Sequence, residues 1–247
     1  MSISNLLNSR TKVGIIFSGG PAPAANAVIS AAALSFLDNS IHVLGIYNGY
    51  KHLIDFDKKN PHLKVNEHYT VLDSHIGDIR NRRGVYIKTA RANPGKDIKN
   101  NNDLADPNKI KRLNNVLDAF EYLDVGLLIS IGGDDTLRTG NLLQSLGMPV
   151  IHVPKTIDND YFGIPWTFGY WTSADIAQKA LLNLQSDSES TGSYFIAEIM
   201  GRKAGWLTFA AGIAGEAIKM YAVEDLPPEG DIDVDGICND IVDTILV

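Results

Sequence analysis

Val125-Gly-Leu-Leu-Ile-Ser-Ile131 runs straight into Gly132-Gly133-Asp134-Asp135-Thr136, and a second apolar run, Val150-Ile-His-Val153, runs into Pro154-Lys155-Thr156-Ile157-Asp158-Asn159-Asp160. Each run is short, continuous and bounded by turn residues, the pattern of a parallel strand buried on both faces. Between them Leu137, Leu142, Leu143 and Leu146 recur at helical intervals, Gly147 sits where a helix C-cap belongs, and Pro149 prevents the helix from continuing. The stretch predicts one βαβ unit. A right-handed crossover lays the two strands in one sheet with their C-terminal ends on the same edge, where Asp134 and Asp158 are expected to meet. Ligands of open α/β sheets bind at that edge. A glycine pair with acids on one loop, and Lys155, Asp158 and Asp160 on the other, therefore reads as a polar, ion-handling cleft, against the plainer reading of two exposed acidic turns.

Outward from this unit the same grammar repeats. Lys12-Val-Gly-Ile-Ile-Phe17 reads as a buried strand, Ser18-Gly19-Gly20-Pro21 as a turn, and residues 24–37, rich in alanine and leucine, as a helix. Glycines in such a loop let backbone N–H groups approach an anion, and the helix N-terminus adds partial positive charge. The loop is a phosphate-cradle candidate, although it matches neither common glycine-rich phosphate motif and a plain tight turn fits as well. Residues 41–46 form a strand that ends in the turn Tyr47-Asn48-Gly49-Tyr50, and residues 51–60 read as loop. Asp106-Pro107 caps a helix whose apolar face is Ile110, Leu113, Leu117 and Phe120. Downstream, residues 162–171 are aromatic and proline-interrupted, 172–184 are helical, 186–192 a polar loop and 194–199 a strand. Met200-Gly201-Arg202 closes that strand ahead of a helix over 204–214, and a domain change is placed near Trp171.

Composition narrows the class. A chain of 247 residues with 45% apolar and 21% charged residues is that of a globular protein of one large or two smaller domains. Residues 1–12 are too polar for a signal peptide and no apolar run approaches the ~20 residues of a membrane helix, so the expected location is the cytoplasm. The single cysteine, Cys238, excludes an internal disulfide and a cysteine-based zinc site. His42, His52, His62, His68, His75 and His152 show no metal-ligand spacing. A net charge of −7 argues against nucleic acid as a partner. Against it stand Arg80, Arg82, Arg83, Lys88, Arg91 and Lys96, which read either as a solvated face or as a phosphate clamp.

With these motifs assembled, the chain resembles the phosphofructokinases. Ser18-Gly19-Gly20, Gly84 through Thr89-Ala90-Arg91, Gly132-Gly133-Asp134-Asp135-Thr136, Thr156-Ile157-Asp158-Asn159-Asp160 and Met200-Gly201-Arg202 stand in the family's order and approximate spacing. The resemblance implies Rossmann-like parallel sheets with helices on both faces in a two-domain α/β architecture. Residues 1–168 would bind the phosphoryl donor and Mg²⁺, and 169–247 would form part of the fructose 6-phosphate domain. It implies phosphoryl transfer to the 1-hydroxyl of fructose 6-phosphate, with Asp158 as general base, Asp160 as a supporting acid and Asp134 holding Mg²⁺. Gly19 would present a backbone N–H to the transferring phosphoryl group and Arg91 would offset its charge. Gly133 would line the donor, while Thr156, Met200, Gly201, Arg202 and Glu224 would contact the sugar phosphate.

Two positions bear on the donor. ATP-using members carry glycine where this chain has Asp135 and Lys155, and the Asp–Lys combination resembles the pyrophosphate-dependent branch. Asp135 would repel the α-phosphate of ATP, and Lys155 would attract a small, dense anion. The expected donor is pyrophosphate, with the ATP-dependent enzyme and a non-catalytic regulatory or assembly subunit as alternatives. Members of the family associate as dimers or tetramers, so a homo-oligomer is implied. They also continue past the point where this sequence stops, so a fragment, a truncated product or one partner of a split enzyme is expected, with apolar surface exposed in its second part. Residues 217–223 and Glu224 resemble the family's sugar-contacting strand and acid, and residues 237–247 begin an amphipathic helix. Ser193 departs from the arginine that ATP-dependent members often place there.

Overall fold

The computed structural model describes residue 7, residues 9–227 and residues 231–246, so Val247, the last residue of the expected final helix, lies outside the described residues. It packs as two compact units, Met1–Thr156 and Ile157–Val247. This division by packing falls earlier than the division by ligand expected at 168/169, which remains a proposal about function.

In the first unit the strands are β1 (Lys12–Phe17), β2 (His42–Ile46), β3 (Tyr69–Leu72), β4 (Val125–Gly132) and β5 (Val150–Thr156), in the spatial order β3-β2-β1-β4-β5. β1 pairs in parallel with β2 and with β4, and β4 pairs in parallel with β5 in the register Leu128↔Val150 to Gly132↔Pro154. All eight residues of β4 are buried, as a central strand covered on both faces requires. The chain leaves β1 toward β2 on one side and reaches β4 on the other. That reversal marks the place where open α/β sheets bind ligands, at the strands' C-terminal ends beside the loops that follow β1 and β4. The antiparallel β3 is a strand not expected from the sequence. It is four residues long, pairs with β2 from Val43↔Leu72 to Ile46↔Tyr69, and alternates its burial as an edge strand does.

The helices are α1 (Ala25–Leu37), α2 (Pro107–Tyr122) and α3 (Asp134–Ser145). Asp106 caps α2 by accepting the Asn108 N–H at 2.9 Å, and Leu113 and Phe120 are fully buried in the core with Ile110 and Leu117 packed against it. Burying each such side chain contributes about 1.5–3 kcal/mol. Gly147 stops α3 at φ +91°, where its N–H reaches the Gln144 carbonyl. Residues 51–60 are irregular as expected, yet Leu53 and Phe56 anchor them in the same core.

The second unit contains β6 (Phe168–Gly169), α4 (Tyr170–Thr191), α5 (Trp206–Ala214) and α6 (Val234–Leu246). Its core joins Tyr170, Ala174 and Leu207, with Ile157, Ile199 and Ala210 packed on it. Three expectations fail here. The polar loop over 186–192 is instead the last part of α4, which runs to Thr191 with Gly192 as its left-handed cap. Polarity alone does not break a helix, and the hydroxyls of Ser186, Ser190 and Thr191 each donate to the carbonyl four residues back. The expected strand over 194–199 joins no ladder, and Tyr194 and Ile196 are exposed. A β-branched, aromatic run makes a strand only where a neighbour satisfies its backbone. The strand expected over 217–223 is likewise absent, the segment being irregular up to a short 3₁₀ turn at Val223–Asp225. Large apolar side chains of this unit, among them Ile176, Ile196, Ile213 and Ile218, are exposed. Among the described residues no helix is long and apolar enough to cross a membrane.

Candidate functional site

In the first unit the site residues lie on the loops that leave β1 and β4 and at the end of β5. Ser18 donates its N–H to the Ile131 carbonyl at 2.9 Å, which ties the β1 loop to the end of β4. Gly19 takes φ +89°, a conformation that strains any side chain, and its N–H donates to the Ala90 carbonyl at 3.0 Å. That N–H was the one expected to face a phosphoryl group. With it engaged, the contribution left to Gly19 is the shape of its backbone. The Thr89 hydroxyl donates to the Gly19 carbonyl at 2.7 Å, so Gly19 and the 89–90 segment are bonded in both directions.

Lys155 leaves the end of β5, is 8% exposed, and donates from Nζ to the Gly20 carbonyl at 2.8 Å. The same Nζ lies 5.8 Å from the Phe17 ring centroid and 3.5 Å from where a Cβ on Gly19 would stand. A buried ammonium is costly unless paired or hydrogen-bonded. The fold holds this one in the β1 loop, beside a glycine whose positive φ would strain any side chain.

Asp134 and Asp135 are exposed in the first turn of α3, where the helix dipole favours anions. Gly133 is the N-cap of α3, and its carbonyl accepts from Thr136 and Leu137. Gly132 allows a close approach, since a Cβ there would stand 2.7 Å from Thr136 Cγ2. Gly132→Ala is therefore expected to destabilise the fold by about 1–3 kcal/mol, the usual cost of overpacking. A matching drop in the urea midpoint checks this. For Mg²⁺ the donor set fits a role in which one carboxylate, Asp134, shares the ion with phosphate oxygens, because such sites are completed by the substrate rather than caged by protein. Among the described residues no group of three His, Cys, Asp or Glu forms such a cage.

His152 on β5 is perturbed. Burial pushes its imidazole from the ordinary 6.5 down to about 4, partly opposed by a hydrogen bond to the main chain of Gly132. Because the folded value lies below the unfolded one, the unfolded chain binds the proton first. The stability conferred by a neutral His152 is complete above pH 6.5 and is lost as the pH falls toward 4, at up to about 1.4 kcal/mol per pH unit before allowance for solvent access. Urea midpoints at pH 7 and pH 5 should differ by less in His152→Gln than in the parent chain.

The basic stretch is solvent-facing, with Arg80, Arg82, Arg83, Lys88, Arg91 and Lys96 all exposed, and Lys88 placing Nζ 5.0 Å from the Tyr47 ring centroid. His52, His62 and His68 pack ring against ring at 4.8 and 5.6 Å. Burial first, and then His68, Lys51, His62 and Lys88, push the His52 imidazole down.

In the second unit Asn159 shapes the loop that carries Asp158 and Asp160. It is 7% exposed at φ +55°, accepts the Thr167 N–H at 2.9 Å and donates to the Pro165 carbonyl at 3.2 Å. The two flanking acids are partly buried. Asn159 enters the sequence analysis only as part of a motif; its signal is an asparagine between two acids, six residues ahead of Pro165. Met200 and Arg202 are exposed and Gly201 partly so, whereas Glu224 accepts the Gly205 N–H at 2.8 Å, at the start of α5. Glu224 therefore holds the backbone at the N-terminus of α5.

The sequence model of the family described as Phosphofructokinase matches residues 12–245. A Thermotoga maritima protein named pyrophosphate--fructose 6-phosphate 1-phosphotransferase is 34% identical over 212 residues, covering 83% of this chain and 46% of that protein. A Spirochaeta thermophila protein named ATP-dependent 6-phosphofructokinase is also 34% identical, over 204 residues, covering 82% of this chain and 52% of that one. In structure, Pichia pastoris phosphofructokinase in the T-state superposes with a TM-score of 0.74 at 23% identity, over 95% of this chain and 23% of its own, a likeness of fold. The chain spans about half the length of the curated relatives it matches.

Proposed function

The chain belongs to the phosphofructokinase family, and from that premise we propose that it transfers a phosphoryl group from pyrophosphate to the 1-hydroxyl of fructose 6-phosphate, reversibly, giving fructose 1,6-bisphosphate and phosphate. Asp158 takes the proton of the hydroxyl as its oxygen attacks phosphorus, the bond to the bridging oxygen breaks, and orthophosphate leaves. Asp160 supports the base. Arg91, with the backbone of Gly19 and Gly133, borders the transferring group, and positive charge there lowers the barrier only insofar as it meets charge that develops in the transition state. Asp134 holds Mg²⁺, which offsets the charge of the phosphate oxygens when bound. Thr156, Met200, Gly201, Arg202 and Glu224 face the sugar phosphate. The chain acts in the cytoplasm as a dimer or tetramer.

The observation that carries the choice of donor is Lys155, buried at the mouth of the β1 loop with its ammonium on the Gly20 carbonyl. A fixed point charge suits a compact anion, and Asp135 in the first turn of α3 disfavours a third phosphate. Relatives named as ATP-dependent match at the same identity as those named for pyrophosphate, so the comparisons leave both donors in play. The reverse reaction separates the two readings. Fructose 1,6-bisphosphate with orthophosphate should yield pyrophosphate. Turnover only with ADP, or none with orthophosphate, contradicts the proposal.

A further inference from the structure

Asn26 lies in the first turn of α1, is 3% exposed, and uses both arms of its amide on one distant segment. Its Nδ2 donates to the Arg82 carbonyl at 2.9 Å and its Oδ1 accepts the Tyr86 N–H at 2.7 Å. The segment so held, residues 82–91, forms neither helix nor strand. A backbone without a ladder keeps one path only if other groups satisfy it. Beyond Asn26, the Ile79 carbonyl accepts the Arg82 N–H, the Asn48 N–H donates to the Ile87 carbonyl, and the Gly19 N–H and Ser18 hydroxyl donate to the Ala90 carbonyl, while the segment's own Thr89 hydroxyl donates to the Gly19 carbonyl. The fully buried Ile87 side chain pins the middle.

Arg82, Arg83 and Arg91 are thus exposed guanidinium groups on a backbone bonded at one end to the first turn of α1 and at the other to the β1 loop. We propose that Asn26 is a positioning residue for phosphoryl transfer, fixing the arginine-bearing segment on the phosphate loop so that Arg91 meets the transferring group from one direction. The proposal rests on the reaction proposed above for this chain. An amide suits the task because it offers a donor and an acceptor about 2 Å apart on a two-torsion side chain. Alanine offers neither, and aspartate keeps the acceptor for Tyr86 while setting a carboxylate oxygen against the Arg82 carbonyl.

The test compares the parent chain with Asn26→Ala, Asn26→Asp, Arg91→Ala and the Asn26→Ala/Arg91→Ala pair, by thermal unfolding, limited trypsin digestion and turnover. Loss of two buried hydrogen bonds should speed cleavage of the folded chain after Arg82 and Arg83 by about tenfold or more in Asn26→Ala, with Asn26→Asp between it and the parent. In turnover, Asn26→Ala should lower kcat about tenfold with little change in KM, and in the double variant it should add almost nothing to the loss caused by Arg91→Ala. Unchanged cleavage after Arg82 and Arg83, cleavage that rises equally across the chain, or kcat losses that multiply would each overturn the proposal. If the parent chain does not turn over, the reading of the reaction fails, and the cleavage pattern still decides whether Asn26 holds the segment.

Discussion

Asp158→Asn is expected to fold as the parent chain does and to lower phosphoryl transfer by about 10²–10⁴-fold, the range general-base catalysis supplies. An amide has the carboxylate's shape but cannot take the proton of a sugar hydroxyl. Asn159 bonds to Thr167 and Pro165 in this loop, and the neighbouring substitution leaves those bonds in place. The loss should fall on kcat, with KM for fructose 6-phosphate close to that of the parent, because the proton moves in the transition state and not in the bound ground state. Steady-state kinetics beside a melting curve checks this. A loss under tenfold would remove Asp158 from the chemistry.

The second large effect concerns the donor. Asp135→Gly should raise kcat/KM for ATP and Lys155→Met should lower kcat/KM for pyrophosphate, so that the pair moves the preference by about 10²–10³-fold. The size follows from Coulomb's law: a unit charge about 4 Å from a phosphate is worth about 4 kcal/mol at an effective dielectric of 20, and solvent on the exposed Asp135 reduces it. Lys155→Met also removes the bond to the Gly20 carbonyl, a cost of about 1 kcal/mol in stability. A preference unmoved by either substitution would show that these two positions do not select the donor.

Much of the first unit was legible because each of its signals is local. Two apolar runs around one helix pair in parallel as expected, although only β4 is buried throughout and β5 is partly exposed at Ile151, and the Asp106-Pro107 start and Gly147 stop mark helix ends by geometry that the residues themselves impose. The second unit was less legible. A uniformly polar tail on α4 carries no apolar period, so nothing in residues 186–191 distinguished a solvated helix from a loop. Residues 194–199 have strand composition, but a strand is a property of a pair. Within the site, charged residues announced themselves and neutral organisers did not. Asn26 and Thr89 act through backbone bonds to partners 56 to 60 and 70 residues away, contacts that no single window of sequence contains, whereas Asn159 bonds backbone only 6 to 8 residues on.

The claim at the centre of this account is that a phosphofructokinase-family chain with Asp135 and Lys155 takes its phosphoryl group from pyrophosphate. The most direct measurement is the formation of fructose 1,6-bisphosphate from fructose 6-phosphate and Mg²⁺, with pyrophosphate and ATP supplied in parallel and Asp158→Asn as control. The account predicts turnover with pyrophosphate, abolished in the control, and little or none with ATP. Turnover with ATP and none with pyrophosphate would contradict it.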